Sequence, residues 1–237
     1  MSEILNDAYA SLKKNTVDSR EQLKESSFTQ TQNTNAEGPR VLFLGNSMTL
    51  HGVCREIGWY GDWGMAASEL ERDYVHILEG KILEKNPSAS FWICQVSDFE
   101  RRYKEGREVF AQYESGRDFG ADFIVIRFIE NCCFENFDNA VFKKALGDFI
   151  RYLDKDKKAK IIVTTGFWRH PGDGALMEYA RENDYPCIEL GDLGERDDMK
   201  AIGRFEHGGV AAHPGDLGMK YMAERIANVL LDLIPLE

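Results

Sequence analysis

Three residues of the 237-residue chain, Ser47, Asn131 and His213, have the types and settings that acyl transfer needs. A serine hydroxyl is a poor nucleophile until a base takes its proton, and imidazole has a pKa suited to that task near neutrality. Ser47 lies in VLFLGNSMTLHG (41–52), where four apolar residues run into Gly45 and a polar pair follows. Such a run reads as a short buried strand stopped by a glycine. Ser47 then sits just past the strand's carboxyl end, where open α/β sheets place ligands. A plainer reading of the same residues is a junction at which Asn46, Ser47 or Thr49 caps a following helix. His213, before Pro214, could likewise be only the residue that precedes a helix with proline at its first position.

The elements that must position these residues can be read from hydrophobic period. Strands are expected at Val41–Leu44, Ala89–Val96, Asp122–Phe128, Lys160–Thr165 and Cys187–Leu190. Helical patterns fall between them, at Met65 to about Lys85, Asp98 to about Tyr113, a stretch carrying Phe142, Ala145, Leu146, Phe149 and Leu153, and Ala175–Glu182. A last long helix runs from Pro214, with Met219, Met222, Ile226, Val229, Leu230 and Leu233 as its inner stripe. Alternation of this kind implies a three-layer α/β/α domain. Its core is expected to be a flavodoxin-like, five-stranded parallel sheet in the order 2-1-3-4-5. In that order the carboxyl ends of the first and third strands are neighbours, so Gly45-Asn46-Ser47 and Ile129-Glu130-Asn131 share an edge. Ala212-His213-Pro214 returns to the same edge before the last helix.

Composition excludes several classes of function. A net charge of −11 argues against nucleic acid or an anionic membrane surface as partner. No apolar run approaches the ~18 residues of a membrane span. Neither a G-x-G-x-x-G nor a Walker-type loop is present, so no cofactor is expected. A metal set drawn from Glu206, His207 and His213 rests on one ordinary spacing, and no metal is expected either. The five cysteines are odd in number and form no CxxC pair, which reads as reduced thiols and a cytoplasmic protein. The start of the chain has no basic stretch leading into a long apolar run, so it does not read as a secretory signal. Residues 1–38 are polar and of low complexity toward TQTQNTNAEGP, and read as an arm and linker outside the domain at 39–237. Ile4, Leu5, Ala8 and Leu12 could form one face of a short helix there. Such an arm could dock on a partner subunit and make a homo-oligomer.

Four short blocks, in order, resemble those of the SGNH hydrolases, the GDSL-like esterases and deacetylases. LGNSMT (44–49) is similar to the block that carries the nucleophile. Trp63-Gly64-Met65 and Phe128-Ile129-Glu130-Asn131 are similar to the second and third blocks, and Val210-Ala211-Ala212-His213-Pro214 to the block that carries the base. The resemblance covers about Arg40 to Ile234. It implies Ser47 as nucleophile and His213 as general base. The implied oxyanion hole consists of the Ser47 N–H, the Gly64 N–H and the Asn131 amide, and Trp63 and Trp168 could line the pocket. The implied activity is hydrolysis of small acyl esters, acetyl above all, with an O-acetylated carbohydrate as the expected substrate.

The blocks depart from the family's pattern at three places. Asn46 stands for the Asp of GDS, and Ile129-Glu130 replaces the start of GxND. Val210 stands where the aspartate that orients the base belongs. Three groups could replace that aspartate: a backbone carbonyl first, Glu206 second, and Glu130 from the third strand. Asp216 is set aside, because a carboxylate in the first turn of a helix serves the helix end. The altered blocks also allow a second reading, a catalytically impaired module on the same scaffold that binds carbohydrate or acyl groups without turnover.

Overall fold

The computed structural model describes residues 29–32 and 37–236. The helical face expected at Ile4–Leu12, and with it the arm's docking role, lies outside the described residues. Strands are β1 (Thr29–Gln32), β2 (Arg40–Gly45), β3 (Ser90–Gln95), β4 (Phe123–Arg127), β5 (Lys160–Thr164) and β6 (Cys187–Ile188). They form one sheet in the order β1-β3-β2-β4-β5-β6. From β3 to β6 all pairings are parallel, which is the expected 2-1-3-4-5 arrangement. One strand was not expected. Thr29–Gln32, read from composition as linker, pairs antiparallel with β3, from Thr29 opposite Cys94 to Gln32 opposite Phe91.

The parallel strands read as continuous apolar runs because each buries both faces. Val41, Phe43, Phe91, Ile93, Val125 and Ile162 point one way. They meet helix α1 (Tyr74–Lys85) through Tyr74, Val75, Leu78 and Ile82, and the long C-terminal helix Asp216–Leu233 through Met219, Met222, Ile226 and Leu230. Leu42, Leu44, Ile124, Ile126, Ile161 and Val163 point the other way. Helices Asn139–Leu153 and Asp173–Glu182 cover this face with Phe142, Leu146, Phe149, Leu176 and Tyr179.

Two expected helices are shorter than their periodicity suggested. The helix expected from Met65 begins only at Tyr74, because Asp73 caps it by accepting the His76 N–H at 2.8 Å. Residues 65–73 are instead a loop with one 3₁₀ turn at Leu70–Arg72, entered through Ala66 at φ +76°. Its Met65 N–H donates to the Ser47 carbonyl at 2.8 Å, which fastens the loop to the turn that carries Ser47. The stretch from Asp98 is broken too. Helix α2 (Ser97–Arg102) gives way to single turns around Gly106, whose φ of +70° and ψ of −135° no helix accommodates. Phe99, Phe110, Tyr113 and Phe149 fill that side as an aromatic cluster, with the Phe99 and Phe149 rings stacked at 4.3 Å. All five cysteines are free thiols, with Cys132 buried and Cys133 exposed.

Candidate active site

Gly45 makes the turn after β2 possible. A Cβ there would lie 1.7 Å from the Thr49 hydroxyl and 2.9 Å from the Arg127 carbonyl. The Asn46 carbonyl then accepts the Thr49 and Leu50 N–H groups at 2.8 and 3.1 Å, closing a tight turn with Ser47 at its tip. None of the three polar side chains caps a helix. Thr49 Oγ1 pairs with the buried Tyr74 hydroxyl at 2.6 Å, and Asn46 is held in a polar cluster described below. Ser47 Oγ lies 2.8 Å from His213 Nε2. The Ser47 N–H donates to no acceptor among the described residues.

The imidazole is aimed by its own backbone. Helix Gly208–Ala211 is a single turn, and His213 follows two residues later. The Ala212 N–H bonds the Gly208 carbonyl at 2.9 Å, but the His213 N–H tightens onto Val210 at 3.0 Å. That leaves the Gly209 carbonyl to the ring, and His213 Nδ1 lies 2.6 Å from it. A carbonyl only accepts, so Nδ1 carries the proton and Nε2 presents a lone pair to the Ser47 hydroxyl. Glu206 is exposed, and Val210 is buried among Trp59, Met65, Ala66 and Ala201. Of the three groups weighed for orienting the base, the structure supplies the backbone carbonyl. Glu206→Gln is therefore expected to leave ester turnover within ~3-fold of wild type. A drop of ~10³-fold, the scale seen when a triad acid is removed, would refute that arrangement.

Burial pushes His213 down to about 4, against a smaller upward pull from the Gly209 carbonyl; His51 and Arg127 add positive charge that lowers it further. The base is thus neutral across the ordinary pH range. Protonation on the acid side removes the lone pair, so kcat/KM should stay level from pH 8 to 6 and fall only as pH drops toward the His213 value. A pH–rate profile with its acid limb near an unperturbed histidine, ~6.5, would contradict this environment. Trp168 stands edge-on to the imidazole, ring centres 5.1 Å apart.

The other expected site residues are placed differently. Gly64 is glycine for close packing, since a Cβ would lie 2.4 Å from the Met48 carbonyl and 2.8 Å from Asp73 Cβ. Its N–H already donates to the buried Asp73 carboxylate at 2.9 Å, so it is not an available oxyanion donor. The same carboxylate takes His76 Nδ1 at 2.8 Å. Trp63 donates its indole N–H to the Ala67 carbonyl at 3.0 Å and packs edge-on against Trp59, which makes it part of the loop's own core. Glu130, considered as an orienting acid, pairs with Arg127 and accepts from Asn46 Nδ2 at 2.6 Å and the Phe167 N–H at 2.8 Å. Asp216 binds the Ser68 N–H and hydroxyl, both at 2.8 Å. His207 accepts the Val210 N–H at 3.3 Å, and Arg169 pairs with exposed Glu195.

Beneath the turn that carries Ser47 lies a cluster that motif reading missed. Arg127, with no exposed surface, donates to Asn46 Oδ1 at 2.8 Å and to Glu130. Glu100, also fully buried, accepts from Asn46 Nδ2 at 3.1 Å, the Asn131 N–H at 3.2 Å and Asn131 Nδ2 at 2.7 Å. Burial, with the Glu130 charge next, pushes Glu100 up to about 7. An arginine inside the apolar run FIVIRFIE was the available signal, because an unpaired guanidinium cannot be buried there. Among the described residues no group of His, Cys, Asp and Glu could hold a metal ion, and no helix is long and apolar enough to cross a membrane.

No family model matches the sequence, and no curated protein matches it. Solved structures do. The lipase/acylhydrolase from Enterococcus faecalis superposes with a TM-score of 0.53 at 13% identity, covering 84% of this chain and 98% of that one. A two-domain esterase (CEX) active on acetylated mannans gives a TM-score of 0.51 at 18% identity over 82% of this chain, which spans half the length of that esterase. The salicylyl-acyltransferase SsfX3 from a tetracycline biosynthetic pathway gives 0.53 at 14% identity, covering 85% of this chain and 57% of that one. At these identities the likeness concerns the fold, and with the observed strand order it establishes that the chain has the three-layer fold of the SGNH hydrolases.

Proposed function

We propose that the chain is a serine ester hydrolase that works through a Ser47–His213 dyad. The observation that carries this reading is the 2.8 Å contact between Ser47 Oγ and a His213 Nε2 whose tautomer is set by the Gly209 carbonyl. Ser47 attacks the acyl carbon as His213 takes its proton, and the protonated imidazole then protonates the leaving alcohol. A water activated by the same nitrogen releases the acid and restores Ser47. Two donors serve the oxyanion, the Ser47 N–H and the Asn131 amide, because the Gly64 N–H is engaged by Asp73.

The substrate proposed is a small acetyl ester on a polar alcohol such as a carbohydrate. Two things support it: the absence of a large apolar lid from the sequence pattern, and the fold-level likeness to an esterase active on acetylated mannans. Five free thiols support a reducing, cytoplasmic setting. The test is covalent labelling with a fluorophosphonate. Wild type should be labelled at Ser47 and Ser47→Ala should not. A wild type left unlabelled would instead favour the acyl-binding module, a reading to which the engaged Gly64 N–H lends weight.

A further inference from the structure

We propose that Glu100 is a positioning residue for ester hydrolysis, fixing which end of the Asn131 carboxamide faces the reacting ester; this rests on the dyad reading above. Two consecutive residues of α2 grip the two ends of that amide. Glu100 Oε2 accepts from Asn131 Nδ2 at 2.7 Å, while Arg101 Nη2 donates to Asn131 Oδ1 at 3.3 Å. The second carboxylate oxygen, Oε1, accepts the Asn131 backbone N–H at 3.2 Å, so side chain and main chain are held by one group. Rotating the amide by half a turn would set Oδ1 against a carboxylate oxygen and the NH2 against a guanidinium. With Glu100 ionised both contacts would be repulsive, so one rotamer is specified.

The grip also reaches the nucleophile. Oε1 accepts Asn46 Nδ2 at 3.1 Å, and Asn46 is covalently next to Ser47. Glu100 therefore ties the turn that carries the hydroxyl to the amide that would receive the developing charge. Nδ2 has two hydrogens and spends one on Glu100, leaving the other for an oxyanion. A fully buried carboxylate is costly unless donors surround it, and the three donors here all come from the two asparagines that flank the reaction.

The experiment is steady-state hydrolysis of p-nitrophenyl acetate by wild type, Glu100→Gln, Asn131→Ala and the double variant, with thermal melts alongside. Glutamine keeps the shape but turns an NH2 toward at least one of the donors. Losing a whole oxyanion donor costs ~10²–10³ in kcat, so misaligning one should lower kcat ~10–100-fold with KM within ~3-fold. In the Asn131→Ala background the same substitution should change kcat by less than ~3-fold, since the two act as a unit. An unchanged kcat in Glu100→Gln, or the same loss in both backgrounds, would overturn the positioning role and leave the dyad standing. A wild type without Ser47-dependent turnover would overturn both. Should Glu100→Gln melt below the assay temperature, exposed Arg101→Ala carries the test. Its expected ~3–10-fold loss in kcat, absent when Asn131 is already alanine, supports the grip, and no loss refutes it.

Discussion

Replacing Ser47 by alanine is expected to lower kcat/KM for p-nitrophenyl acetate by ~10⁴-fold or more, and His213→Ala by a similar factor. The two atoms in contact form one device: among the described residues the hydroxyl has no other base within hydrogen-bond reach, and the imidazole has no other hydroxyl. Removing either leaves only the oxyanion donors, whose residual contribution over water in serine hydrolases is ~10³–10⁴. The double variant should therefore be no slower than the worse single one. Circular dichroism and melting temperature should be unchanged in Ser47→Ala, because the Gly45 turn is closed by backbone bonds and the serine hydroxyl takes no part in it. Turnover in Ser47→Ala above ~1% of wild type would rule out this nucleophile.

Arg127→Met should be the most damaging change to the fold near the site. Methionine matches the aliphatic stem but strips the cation from Glu130, whose side chain is 7% exposed, and the closer of two donors from buried Asn46 Oδ1. Breaking one side of a buried pair costs ~3–5 kcal/mol, mostly as the penalty on the abandoned charge. For a chain of this size that corresponds to a fall of roughly 10 °C in melting temperature. Adding Glu130→Gln to Arg127→Met should recover part of the loss, because the orphaned charge is then gone. A melting temperature within ~2 °C of wild type for Arg127→Met would mean the ion pair contributes little to holding the turn. Activity should fall along with stability, since Asn46 precedes Ser47 and is fixed from both sides by this cluster.

Strand order and layer composition were legible because apolar residues in β2, β4 and β5 fill both faces, and that signal survives in sequence. The contact of Ser47 with His213 was legible for a related reason: the topology brings the ends of β2 and of the segment before the last helix to one edge. What could not be read was backbone chemistry. The Gly209 carbonyl has no residue signature, and nothing in Trp63-Gly64-Met65 reveals that a carboxylate nine positions later takes the Gly64 N–H. The start of α1 was misjudged because Leu70 continues the helical period, while the Asp73 cap and Ala66 backbone decide otherwise. Thr29–Gln32 was missed because an edge strand of alternating Thr and Gln carries no hydrophobic pattern.

That strand bears on how the protein would behave if shortened. β3 is SFWICQ, an uncharged, largely apolar strand, and among the described residues one of its two backbone edges is covered only by Thr29–Gln32. A variant trimmed to begin at Arg40 would keep Ser47, Asn131 and His213 yet present that edge open, and open apolar edges template strand addition between molecules. Thr29–Gln32 would thus guard that edge against self-association, and its worth would be read in solubility and shelf life rather than in turnover.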